Sequence, residues 1–178
     1  MSAPSAKMQV CVGEKSACVK IAGRASFTSS IDFKTLLGEL LQKGYVYFLL
    51  DLTECTLMDS TFLGVLAGFG LKMSGPQADK VERALDLFNP NPRIVELLEN
   101  LGILRLFKVT QGEVVLPEGT APCDHTPASP TREEVTRACL EAHKTLMEID
   151  PANVSRFKDV TQFLAENLKK LKAEAPQA

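Results

Sequence analysis

Apolar positions along this chain change period several times, and each change marks an element. Met8–Val12 and Ala17–Ile21 are short β-forming runs separated by Gly13-Glu14-Lys15, the pattern of a hairpin. Phe33, Leu36, Leu37, Leu40 and Leu41 then recur at three and four, which puts them on one helical face. Ser29 or Ser30 is expected to cap this helix, and Gly44 to end it in a left-handed turn. Tyr45 to Leu52 is continuously apolar, the pattern expected of a strand covered on both faces. A second helix is expected from Asp59 or Ser60, and a further strand over Val81–Phe88. Asn91-Pro92 reads as the cap and first residue of a third helix with Ile94, Val95, Leu97, Leu98 and Leu101 inward and Gly102 as its stop. Leu104–Val109 closes the series as a short strand.

The order β-β-α-β-α-β-α-β predicts an α/β fold with a mixed, mainly parallel sheet of about four to five strands, the initial hairpin supplying the antiparallel pair. Residues 112–130 then carry Pro117, Pro122, Pro127 and Pro130 among small polar residues, a linker composition. Thr131-Arg132-Glu133-Glu134 matches a capping box and starts a helix with Val135, Cys139, Ala142, Leu146 and Ile149 on one face. Asp150-Pro151 breaks it and restarts another, striped by Val154, Phe157, Val160, Leu164, Leu168 and Leu171. The expected organisation is an α/β domain over 1–111, a linker over 112–130, a C-terminal α-helical hairpin over 131–173 and a tail over 174–178. The hairpin's apolar stripe needs cover from its own domain, a partner, or a second copy in a homodimer.

Charge and composition narrow the function. Lys and Arg total 20 against 22 Asp and Glu, with no dense basic run, so a nucleic-acid footprint is not expected. Residues 131–178 carry eight basic and eight acidic residues, which disfavours a membrane-surface role. The longest apolar stretch, Phe62–Leu71, is far short of the ~20 residues of a membrane span, so no membrane insertion is expected. None of the five cysteines forms a CxxC pair, and His125 and His143 lack ligand-like spacing, so no metal is expected. An odd cysteine count, with no apolar leader in Met1–Gln9, reads as reduced thiols in a cytoplasmic protein. Ser60 lacks a Gly-x-Ser-x-Gly elbow, no Gly-rich phosphate loop occurs, and both histidines fall outside the α/β segment. Cys55 reads as a buried thiol, and Asp51 and Asp59 as a strand-end carboxylate and a helix cap. The expectation is a protein without enzymatic activity and without cofactors.

What remains is Asp59-Ser60-Thr61 at a helix start. Free backbone N–H groups and the positive end of the helix dipole favour an anion there, and a phosphorylated hydroxyl adds nearly two negative charges. The same triplet is also ordinary capping chemistry. The helix that follows carries Gly64, Gly68 and Gly70, which costs helix propensity and suggests close packing.

The run Asp51-Leu52, a loop, then Asp59-Ser60-Thr61-Phe62-Leu63-Gly64 resembles the signature of STAS-domain anti-sigma factor antagonists. The element order and the segment Asn89–Leu101 match that family too, over about residues 8 to 110. The resemblance implies that Thr61 is the phosphoacceptor, with Ser60 the alternate and Asp59 supporting the site. It implies a partner-binding face at Ser26, Phe62 and Leu63. Its partners would be an anti-sigma factor serine kinase, which the unmodified protein binds so that a sigma factor is freed, and a PP2C-type phosphatase that resets the switch. STAS modules beside transporters or in stress-signalling scaffolds are the alternative role. The chain departs from the family pattern at Phe62, where a glycine is usual, and at Gly23-Arg24-Ala25-Ser26-Phe27, where Gly-x-Leu-Asp is usual.

Overall fold

One long strand organises the sheet. The computed structural model describes residues 6–75, 83–116, 118–123, 127 and 129–176. In it β1 (Lys7–Val12) pairs antiparallel with β2 (Ser16–Ala25), completing the hairpin read from the sequence. The first half of β2 pairs in parallel with β3 (Tyr47–Asp51), and its second half with β4 (Cys55–Met58) after a register shift at Gly23/Arg24. Gly23 takes φ +91° at that shift, a conformation that favours glycine, and donates its N–H to the Glu54 carbonyl at 2.9 Å. β5 (Ala84–Phe88) and β6 (Lys108–Thr110) extend the parallel side, and β7 (Ala121–Cys123) adds an antiparallel edge beside β1. The order is β6-β5-β3-β2-β1-β7, with β4 on β2.

The fold class is the α/β architecture expected, with more strands. β4 has four residues, too few to show a period, and β7 lies in the Pro-rich stretch. Leu104–Leu106 is a 3-10 turn, and the strand that follows it is Lys108–Thr110. Val81 and Glu82, expected in a strand, and His125 lie outside the described residues. β3 is covered unevenly: Phe48 and Leu50 are fully buried on one face, whereas on the other Leu49 is half-buried and Tyr47 is exposed, its hydroxyl donating to Asp86 Oδ2 at 2.9 Å.

The first helix, α1 (Phe27–Gln42), begins earlier than Ser29 or Ser30. Ser26 is its N-cap, and the Ser26 N–H donates to Ser29 Oγ at 2.9 Å, so the serines expected as caps sit inside the first turn. Then come α2 (Ser60–Ser74) and α3 (Pro92–Asn100). Asn91 caps α3 by accepting from the Ile94 N–H at 2.9 Å, and its amide also reaches the Cys55 and Thr56 carbonyls, which ties α3 to β4. Phe33, Leu37, Phe62 and Leu66 meet Val19, Ile21, Phe48, Leu50 and Leu87 of the sheet in one core.

The C-terminal helices, α4 (Arg132–Ile149) and α5 (Val154–Glu174), fold as the expected hairpin and pack on the α/β domain of the same chain. The Thr131–Glu134 capping box forms, and the Thr131 N–H holds the Glu134 carboxyl below its ordinary pKa. α4 lies on α2 and α1, with Leu146 fully buried in the main core. Asn153, between the helices, is fully buried and donates to the carbonyls of Leu101 and Leu146 at 2.9 Å each. α5 turns most of the expected stripe inward: Leu168 is buried, Phe157 packs against the main core, and Leu164 and Leu171 are half-buried, with Thr161 buried among them, while Val154 and Val160 are exposed. Among the described residues no helix is long and apolar enough to cross a membrane.

The glycines of α2 divide by what faces them. A Cβ on Gly64 would lie 2.7 Å from the Ala142 carbonyl carbon and Cβ, whereas one on Gly68 would meet nothing within 4 Å. Gly68→Ala should therefore stabilise the protein by about 0.5–1 kcal/mol through helix propensity. Gly64→Ala should cost about 1–3 kcal/mol through overpacking against α4. Urea titration of both variants checks this; a stabilising Gly64→Ala would show that α4 does not lie so close in solution.

Candidate functional site

Two helix N-termini converge on one carboxylate. Asp59 ends the loop after β4 with extended backbone (φ −87°, ψ 171°), the conformation of an N-cap. Its Oδ1 accepts from the Phe62 N–H at 2.9 Å, capping α2. Its Oδ2 accepts from the Phe27 N–H at 2.7 Å, in the first turn of α1. The backbone N–H of Asp59 donates to the Ala25 carbonyl at 3.0 Å, which fixes the junction to the end of β2. Ser60 and Thr61 therefore open α2 on a rigid corner whose dipole ends both favour negative charge.

The hydroxyls do not face open solvent. Ser60 is half-buried, and its Oγ lies 2.9 Å from His143 Nε2 of α4. His143 Nδ1 lies 2.6 Å from the Cys139 carbonyl. A carbonyl only accepts, so Nδ1 carries the proton, and in the neutral ring Nε2 accepts from the Ser60 hydroxyl. Thr61 is only 5% exposed, and its hydroxyl donates to Cys139 Sγ at 3.5 Å. Burial first, and the Asp59 charge after it, raise the Cys139 pKa, so the thiol stays protonated at neutral pH. The His143 ring also packs against Phe157 of α5, centroids 5.0 Å apart, so both C-terminal helices back this contact.

The structure thus brings Asp59, Ser60 and Thr61 together and separates the residues expected around them. Phe62 and Leu63 turn inward and are essentially fully buried; the Phe62 ring lies tilted against that of Phe33, centroids 4.9 Å apart. Phe62 therefore adds no bulk at the protein surface, and neither side chain offers a face to a partner in this conformation. Ser26 stays near the corner, half-buried, with its hydroxyl 2.8 Å from that of Thr28. Asp51 is held elsewhere, accepting from the Thr53 N–H and hydroxyl at 3.0 and 2.6 Å. Sequence reasoning missed Phe27, an aromatic left 45% exposed beside Asp59, and the pair Cys139 and His143. The signal for that pair was spacing: they are four apart, on the stripe that also carries Ala142 and Leu146.

This strand-loop-helix corner on a mixed sheet is the architecture of the STAS domain. A STAS domain family model matches residues 8–114, more than half of the sequence, and the chain belongs to that family. Its fold is similar to that of two solved anti-sigma factor antagonists. One is SpoIIAA in its unphosphorylated form: 13% identity, TM-score 0.51, covering 60% of this chain and 89% of that one. The other is from Mycobacterium paratuberculosis: 17% identity, TM-score 0.51, covering 61% and 89%. At these identities the likeness is one of fold. No curated protein sequence matches the chain.

Proposed function

We propose that this chain is a partner-switching regulator. Unphosphorylated, it binds a kinase-type anti-sigma factor and so frees a sigma factor; phosphorylation at Thr61 ends that binding, and a PP2C-type phosphatase restores it. The observation that carries the reading is the corner at Asp59, where one carboxylate caps both α1 and α2 and leaves two hydroxyls at a rigid helix start. Membership of the STAS family and a fold shared with anti-sigma factor antagonists support it. The module supplies the acceptor; the partner kinase supplies ATP, magnesium and the catalytic groups.

Incubation with Mg-ATP and an anti-sigma factor kinase should yield a single phosphopeptide, lost in Thr61→Ala. Thr61→Asp should weaken binding to that kinase at least tenfold, roughly 1.4 kcal/mol. Phosphate on Ser60 would move the acceptor by one position within the same corner. Phosphate confined to other segments, or undiminished binding by Thr61→Asp, would overturn the proposal.

A further inference from the structure

We infer that α4 is an intramolecular cover over the Asp59–Ser60–Thr61 corner, and that it must swing away before a kinase or any other protein can engage the hydroxyls. The inference rests on the reading of that corner as the modified site.

The cover is built from particular contacts. Cys139 and His143 take both hydroxyls, Thr61 at 3.5 Å and Ser60 at 2.9 Å. Ala142 sits on Gly64, one turn further along α2, in a contact with no room for a side chain. Glu141 accepts from Lys34 of α1 at 2.9 Å, so α4 bridges both helices that Asp59 caps. A kinase transferring phosphate to Thr61 needs its oxygen free and in line with the donor. Here that oxygen is buried under a thiol, and a phosphate on it would bring a dianion against the protonated Cys139 and close to the Asp59 carboxylate.

The same contacts make the cover releasable. Its face toward the corner is Ala138, Ala142, Cys139 and His143, small or polar residues that bury little apolar area each. A cleft lined by Lys34, Val65, Gly68, Phe69, Glu141 and Thr145 leaves the seam between α1, α2 and α4 incompletely filled. The other end of the hairpin is anchored: Leu146 is in the main core, and the Arg156 guanidinium donates to the Asn100 carbonyl at 2.9 Å, beside the buried Asn153. The hairpin thus has a fixed end and an end held closely but by small and polar side chains, an arrangement that opens locally without global unfolding. Binding would then be reduced by the fraction of molecules that are closed.

Thiol labelling of the full chain tests this, because the cysteines report on different regions. Cys139 is half-buried on the face of α4 that meets the corner, and Cys55 is the buried first residue of β4, where burial raises its pKa to about 11. Ala142→Leu places bulk where Gly64 leaves none. It should raise the rate of Cys139 alkylation by iodoacetamide roughly tenfold while leaving Cys55 at its wild-type rate. Glu141→Lys, which reverses the exposed ion pair with Lys34, should raise the Cys139 rate at least about twofold. It also serves if Ala142→Leu unfolds the chain and accelerates Cys55 as well. Cys139 rates unchanged in Glu141→Lys, with Ala142→Leu either unchanged or accelerating Cys55 equally, would overturn the cover. With Mg-ATP and the anti-sigma factor kinase, Ala142→Leu should take up phosphate faster than wild type. Equal phosphorylation rates despite faster Cys139 labelling would remove the gating role. If neither protein takes up phosphate, the functional reading fails, while the alkylation result still decides whether α4 is a cover.

Discussion

Asp59→Ala should destabilise the protein by about 2–3 kcal/mol, more than a single lost helix cap, which costs typically about 1 kcal/mol. The reason is that both carboxylate oxygens are committed. Oδ1 satisfies the Phe62 N–H of α2 and Oδ2 the Phe27 N–H of α1, so alanine leaves orphan donors at two helix starts at once. Each start also loses a negative charge at its dipole, worth about 0.3–1 kcal/mol on the surface. The two losses share one corner, so they need not add fully. Asp59→Asn is the informative companion: its amide keeps one acceptor oxygen and turns a donor toward the other N–H, so its cost should fall between wild type and alanine. Urea unfolding followed by far-UV circular dichroism measures both. An alanine variant within about 0.5 kcal/mol of wild type would mean that water replaces the carboxylate at both helices.

Most of the α/β domain was legible because its helices and longer strands declare their period. The face of α1, the Asn91-Pro92 start of α3 and the capping box of α4 all read directly from side-chain chemistry that acts within a turn. What the sequence hid is set by distant pairing. β4 exists because β2 continues past its register shift and offers a free edge to Cys55–Met58. β7 exists because β1 offers another to Ala121–Cys123. The apolar run of β3 reads as doubly covered, yet Tyr47 reaches solvent through its hydroxyl, which a ring with a polar tip permits.

The candidate site was half legible for the same reason. Asp59, Ser60 and Thr61 are adjacent in sequence, so their cap chemistry is local. Cys139 and His143 meet them from 78 and 83 residues away, and their spacing of four places them on one helical face without saying what that face meets. His143 lies outside the α/β segment in the chain but not in the packing. His143 reaches the corner because α4 folds back onto α2, and that return is visible only in the small residues at Gly64 and Ala142 that permit it.

Phe62→Gly should be the most costly single change at the site, although it moves the chain toward the glycine of the signature that residues 59–64 resemble. Phe62 is fully buried, with its ring 4.9 Å from that of Phe33, which in turn meets Phe69 edge-on at 5.9 Å. Truncating a buried phenylalanine to alanine costs about 3–5 kcal/mol, part transfer and part cavity. Glycine adds up to about 1 kcal/mol of lost helix propensity in α2. Against a typical stability of about 5–15 kcal/mol for a whole domain, that total is a large fraction. Phe62→Leu, which keeps most of the volume, should recover most of the loss. Denaturant midpoints for the three proteins check the order wild type, leucine, glycine, with a steep drop only at the last. A glycine variant within about 1.5 kcal/mol of wild type would mean that α1 and α2 close the gap by moving together. The ring would then be filling space that the helices do not need in order to hold the Asp59 corner.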